Sequence, residues 1–110
     1  LVLLNGPQFV EASRVMAESL IREYADDPDL RIQEAFRRLT GLQPSDDQVR
    51  LLREMVDEQV SHFQINEEAA RQLTRVGERK PDERLDPVLV AATTSLINLL
   101  MNFDGSVVLR

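Results

Sequence analysis

Pro87-Val88-Leu89-Val90-Ala91-Ala92-Thr93-Thr94-Ser95-Leu96-Ile97-Asn98-Leu99-Leu100-Met101-Asn102-Phe103 is the longest stretch of the chain without a charge. Asp86-Pro87 opens it with a cap residue followed by a proline, the start signal of a helix. The stretch is apolar on nearly every side and shorter than the roughly 20 apolar residues a membrane span needs. Its polar residues, Thr93, Thr94, Ser95, Asn98 and Asn102, also argue against lipid. A helix apolar all round belongs inside a protein. The rest of the chain is therefore expected to wrap around this segment.

Upstream, four further segments carry apolar residues at helical spacing. Phe9, Ser13, Met16, Leu20 and Tyr24, widened by Ala12 and Ile21, mark a first helix from about Pro7 to Tyr24, with Asn5 as its cap. Glu11, Arg14, Glu18 and Arg22 are assigned to its other faces. Asp27-Pro28 starts a second helix whose apolar face is Ile32, Ala35, Phe36 and Leu39, and Gly41 suits its left-handed C-terminal cap. Ser45-Asp46-Asp47-Gln48 is a capping box, in which the Ser45 hydroxyl accepts from the Gln48 backbone and the Gln48 side chain reaches back. The third helix carries Val49, Leu52, Val56, Val60 and Phe63, flanked by Leu51 and Met55. Asn66 caps a shorter fourth helix with Ala69, Ala70, Leu73 and Val76, ended by Gly77. Residues 78–85 are charged and read as a solvated linker. No strand pattern competes. The expectation is an all-α, compact bundle of about five helices with a central, apolar C-terminal helix.

Composition narrows the function classes. The 110 residues suit one domain, and 43% apolar with 29% charged residues is ordinary globular usage. A net charge of −6 repels a phosphate backbone, and acidic residues flank the pairs Arg37-Arg38 and Arg79-Lys80, so nucleic acid is not an expected partner. With no cysteine, disulfides, thiolate metal sites, covalent c-type haem attachment and cysteine catalysis are ruled out together. The chain opens on Leu1 rather than Met, which suggests a segment of a longer protein.

Few constellations could carry chemistry. Glu54, Glu58 and His62 follow one another at i, i+4 and i+8 and stack along one helix stripe, where two carboxylates and an imidazole could ligate a metal. A structural zinc site takes four ligands, usually from several elements, so a solvated face is the competing reading. Asp26, Asp27 and Asp29 lack the central glycine of a calcium loop and have Pro28 inside the run, which favours capping. Ser13, Ser45, Ser61, Ser95 and Ser106 are candidate nucleophiles, but His62 is the sole imidazole and Ser61 beside it points elsewhere. Gly6, Gly41, Gly77 and Gly105 are isolated and form no phosphate loop. Thr93, Thr94 and Asn98 are expected to bond backbone carbonyls. No residue set calls for a cofactor.

Three stretches together resemble one family. Leu3-Leu4-Asn5-Gly6-Pro7-Gln8-Phe9-Val10-Glu11-Ala12-Ser13-Arg14, the helix–glycine–proline–serine joint within 32–48, and Leu96-Ile97-Asn98-Leu99-Leu100-Met101-Asn102-Phe103-Asp104 are similar to motifs of a planctomycete domain of unknown function. That domain stands at the C-terminal end of large proteins that commonly also carry planctomycete cytochrome-c-type domains. Leu42 replaces the family's usual arginine, and Gly105-Ser106 its usual Glu-Phe. The resemblance implies an exported or cell-envelope multidomain parent and no particular activity.

The leading expectation is thus a non-catalytic helical module that contacts neighbouring domains of its parent chain or partner proteins. The apolar ends, Leu1, Leu3, Leu4, Val107 and Val108, are its candidate interaction residues, and self-association into a homo-oligomer would follow from their exposure. The alternatives are an accessory domain of a haem-bearing redox protein and a metal-binding or enzymatic domain using Glu54, Glu58 and His62.

Overall fold

A computed structural model describes residues 6–102. It contains five helices, α1 (Pro7–Glu23), α2 (Pro28–Thr40), α3 (Asp46–Ile65), α4 (Glu67–Thr74) and α5 (Pro87–Asn102), and no strand among the described residues. The expected all-α bundle is therefore the fold. The terminal candidates Leu1, Leu3, Leu4, Val107 and Val108 lie outside the described residues.

Local chemistry sets most of the boundaries. Asp27 caps α2 by accepting from the Leu30 N–H at 3.0 Å, and Pro28 takes the first turn. Gly41 closes α2 with φ at +76°, a conformation that L side chains resist. The α3 capping box is complete: Gln48 N–H donates to Ser45 Oγ at 3.1 Å, and Ser45 N–H donates to Gln48 Oε1 at 2.9 Å. Asn66 caps α4 through the Ala69 N–H. At α5, Val88 N–H donates to the Asp86 carboxylate at 3.0 Å.

Two boundaries differ from the sequence expectation. Asn5 lies outside the described residues, and the N-cap of α1 is Gly6, in extended backbone and with no side-chain bond. Helix α4 ends at Thr74, before Gly77. Gly77 has another use. Its φ is +95°, and a Cβ there would overlap the Glu11 side chain. A glycine is needed because α1 presses a carboxylate onto this backbone.

Helix α5 packs against all four other helices. Residues Val90 to Asn98 are all buried, with Ala91, Ala92, Thr94 and Ile97 fully enclosed. Val10, Ala17 and Leu20 of α1, Ile32, Ala35 and Phe36 of α2, Leu52, Val56 and Phe63 of α3, and Ala70 and Leu73 of α4 complete one core. Burying a side chain such as Ile97 contributes about 1.5–3 kcal/mol. Small residues at 91 and 92 let the neighbouring helices approach closely. Leu89 and Leu99 are the half-exposed leucines of α5.

Candidate functional site

The sequence assigned Arg14 and Glu18 to the outer faces of the first helix. That expectation is wrong. Arg14 is fully buried and Glu18 is 5% exposed. The buried residues of α1 are Val10, Ser13, Arg14, Ala17, Glu18, Leu20 and Ile21, while Phe9 is 41% exposed. The inward face is therefore rotated from the Phe9–Met16 stripe toward Val10, Arg14, Ala17 and Ile21.

What covers Arg14 and Glu18 is the segment expected to be a solvated linker. Arg14 Nη1 bonds the Glu18 carboxylate at 3.2 Å. Its Nη2 donates to the Arg79 carbonyl, and its Nη1 also reaches the Lys80 carbonyl. Glu18 accepts from the Asp82 N–H at 2.8 Å, and Glu11 accepts from the Arg79 N–H. Arg22 pairs with the Asp82 carboxylate at 2.9 Å. Four charged side chains, one per turn of α1, thus fasten the α4–α5 connection. The segment forms no helix or strand, so its backbone groups need other partners, and the α1 charges serve the N–H groups of Arg79 and Asp82 and the carbonyls of Arg79 and Lys80. Asp82 also accepts from the Arg84 guanidinium and the Arg84 N–H, which hold its carboxyl well below the usual carboxylate range.

The metal candidates lie on a different surface. Glu54, Glu58 and His62 are all exposed on the outer side of α3, opposite its core residues Leu52, Val56 and Phe63. No group of three or more His, Asp or Glu side chains converges among the described residues. The His62 ring stands edge-on to Phe63, with centroids 5.2 Å apart. Leu51 is 58% exposed and Ile65 is 89% exposed. At 100° per residue these two leave α3 in nearly the same direction as Glu58 and His62. The stripe therefore reads apolar, acidic, acidic, imidazole, apolar, and it spans about 21 Å at 1.5 Å per residue.

Three of the candidate nucleophiles serve the fold. Ser45 is the α3 cap. Ser13 Oγ bonds the Phe9 carbonyl at 2.9 Å and meets Met101 Sδ at 3.2 Å, and Ser95 Oγ donates to the Ala91 carbonyl. The expectation that Thr93, Thr94 and Asn98 bond backbone carbonyls fails at Asn98 and Thr94. Asn98 Nδ2 donates to Ser13 Oγ at 3.5 Å, and Thr94 Oγ1 is buried without a partner among the described residues. Of the acidic cluster, Asp27 is a cap and Asp29 pairs with Arg53 at 2.9 Å. Arg37 and Arg38 both pair with Glu34.

Sequence reading missed a second buried cation, Arg31, which is 7% exposed. Its Nη1 donates to the carbonyls of Tyr24 and Ala25 at the C-terminal end of α1, at 2.8 and 3.3 Å. The signal was its neighbour: Arg31 precedes Ile32 at the edge of the apolar face and follows the loop that ends α1, where helix-terminal carbonyls need donors. No helix of the described residues is long and apolar enough to cross a membrane. No protein-family model, curated protein or solved structure matches this chain.

Proposed function

We propose that the chain is a non-catalytic helical interaction module and that the outward stripe of α3 is its contact surface. The supporting observation is the exposure of Leu51 and Ile65, at 58% and 89%, on an element whose opposite face builds the core. Burying each of these side chains against a partner would contribute about 1.5–3 kcal/mol. Glu54 and Glu58 between them favour a partner with basic residues between two apolar contacts. Resemblance to the planctomycete C-terminal domains makes that partner a neighbouring domain of a large exported chain.

The mode of recognition is a helix face meeting an amphipathic surface. A helical peptide with two leucines fourteen positions apart and lysines between them is a suitable probe. Titration followed by backbone amide shifts should move Leu51, Glu58 and Ile65, weaken as salt is raised, and vanish in the Leu51→Ser, Ile65→Ser variant. Shifts centred on another face, or binding indifferent to that variant, would remove the reading.

A further inference from the structure

A cleft of about 140 Å³ opens between α2, α3 and α5, away from the outward stripe of α3. Ile32, Ala35, Val56, Val60, Leu89 and Leu96 give it an apolar lining, and Leu89 is one of the half-exposed leucines of α5. Arg31 and Arg53 also line it. The two cations differ in how they are neutralised. Arg53 is held by Asp29 at 2.9 Å and by Asp57 at 3.3 Å. Arg31 has no carboxylate within ion-pair reach among the described residues, although it is the more deeply buried of the two.

Capping the end of α1 occupies only one nitrogen of Arg31. Both of its hydrogen bonds leave from Nη1, so Nε and Nη2 have no acceptor among the described residues. Burial and the neighbouring Arg53 charge both pull the Arg31 pKa down, the direction expected of a cation short of counter-charge. Asp27 offsets this only through space. A largely buried guanidinium whose Nε and Nη2 lack a protein acceptor among the described residues, beside an apolar cleft, suits a carboxylate attached to an apolar group. Size and charge narrow it further. A cavity near 150 Å³ accommodates benzene, so the tail is a ring or a short alkyl chain. Asp57, which also lines the cleft, and Asp29, paired with Arg53, disfavour a second negative charge.

We infer that this cleft binds a small organic monocarboxylate, its carboxylate on Nε and Nη2 of Arg31 and its apolar tail against Ile32, Val60 and Leu96. The site is independent of the proposed α3 contact surface, and either can fail without the other.

The test uses 3-phenylpropanoate as probe and the neutral 3-phenylpropanol as its size-matched control, with binding read from backbone amide shifts of the intact chain. Saturable shifts at Arg31, Ile32, Val60 and Leu96 are expected with the acid. The alcohol should bind about tenfold more weakly or worse, the equivalent of one charge-assisted hydrogen bond. Acetate, which lacks the tail, should be weaker than the acid by a similar factor. Val60→Phe should abolish binding by filling the cleft while leaving the Arg31 donors in place, and Arg31→Gln should cost about tenfold or more. If Arg31→Gln does not fold, the acid–alcohol comparison on the unaltered chain decides. Equal binding of acid and alcohol, shifts centred outside the cleft, no saturable shift with the acid, or full binding in a folded Val60→Phe variant would each overturn the assignment.

Discussion

Replacing Arg14 by methionine should be among the most damaging single changes in this chain. Methionine keeps much of the volume and removes the charge. Glu18 then remains a carboxylate at 5% exposure, with the Asp82 N–H as its remaining bond and its ion-pair partner at 3.2 Å gone. Removing one member of a buried pair in this way costs about 3–5 kcal/mol, chiefly because the surviving charge is stranded. The carbonyls of Arg79 and Lys80 lose their donor as well. A domain of this size has roughly 5–15 kcal/mol of stability in total, so the variant should melt about 15 °C lower or more. The pair of variants is more informative than either alone. Arg14→Met combined with Glu18→Leu removes both charges and should recover most of the loss, because well-packed apolar residues often replace a buried ion pair without net cost. Equilibrium urea unfolding followed by circular dichroism measures all three proteins. An Arg14→Met variant within about 1 kcal/mol of the parent, or a double variant no better than the single one, would refute the stranded-charge reasoning.

Other consequences follow from single groups. Ser45→Ala should cost about 1 kcal/mol by undoing the α3 capping box, while Glu58→Ala, on an exposed face, should stay within about 0.5 kcal/mol; thermal melts of the two separate them. Thr94→Val should leave stability unchanged or raise it by about 1 kcal/mol, since it removes a buried hydroxyl that has no partner among the described residues, and a clear loss in urea unfolding would mean that the hydroxyl is bonded. Asp82 has a depressed folded pKa, caused first by its bond to Arg84. Its contribution to stability is therefore present above the unfolded carboxylate value near about 4 and is lost as pH falls toward the folded value. The stability gap between the parent and Asp82→Asn should accordingly be open at neutral pH and shrink below about pH 4.

Periodicity and capping carried the fold into the sequence. Asp27, Gly41, Ser45, Asn66 and Asp86 announced element boundaries because a cap is a local interaction between residues two to four apart. The uncharged run at 87–102 announced the central helix because nothing else can shield it. The α1 strap was not legible for the opposite reason. Arg14 at i and Glu18 at i+4 look the same whether the pair is solvated or enclosed, and the difference lies in residues 79–82, more than sixty positions away. Those residues read as solvent-loving because their side chains are charged, yet their backbone groups are what α1 holds. Only one hint was available. Val10, Arg14, Ala17 and Ile21 form a stripe as regular as the one through Phe9 and Met16, and it puts an arginine in the middle of an apolar face. The α3 stripe was half legible. Glu54, Glu58 and His62 were placed on one surface correctly, but Leu51 was counted as a flank of the core rather than as part of that surface. Whether a leucine beside an apolar stripe faces inward depends on which helices arrive next to it. Partner recognition by the apolar chain ends concerns residues outside those described.

The claim that the outer face of α3 is free for a partner can be tested by the equilibrium stability of the Leu51→Ser, Ile65→Ser double variant in urea. Side chains that make no internal packing can be replaced within about 0.5 kcal/mol each. At 58% and 89% exposure, the two changes together should shift the unfolding free energy by about 1 kcal/mol or less. A loss of about 4 kcal/mol or more, the scale of two leucine-sized side chains removed from a core, would show that these residues hold the bundle together and are not available to bind a partner.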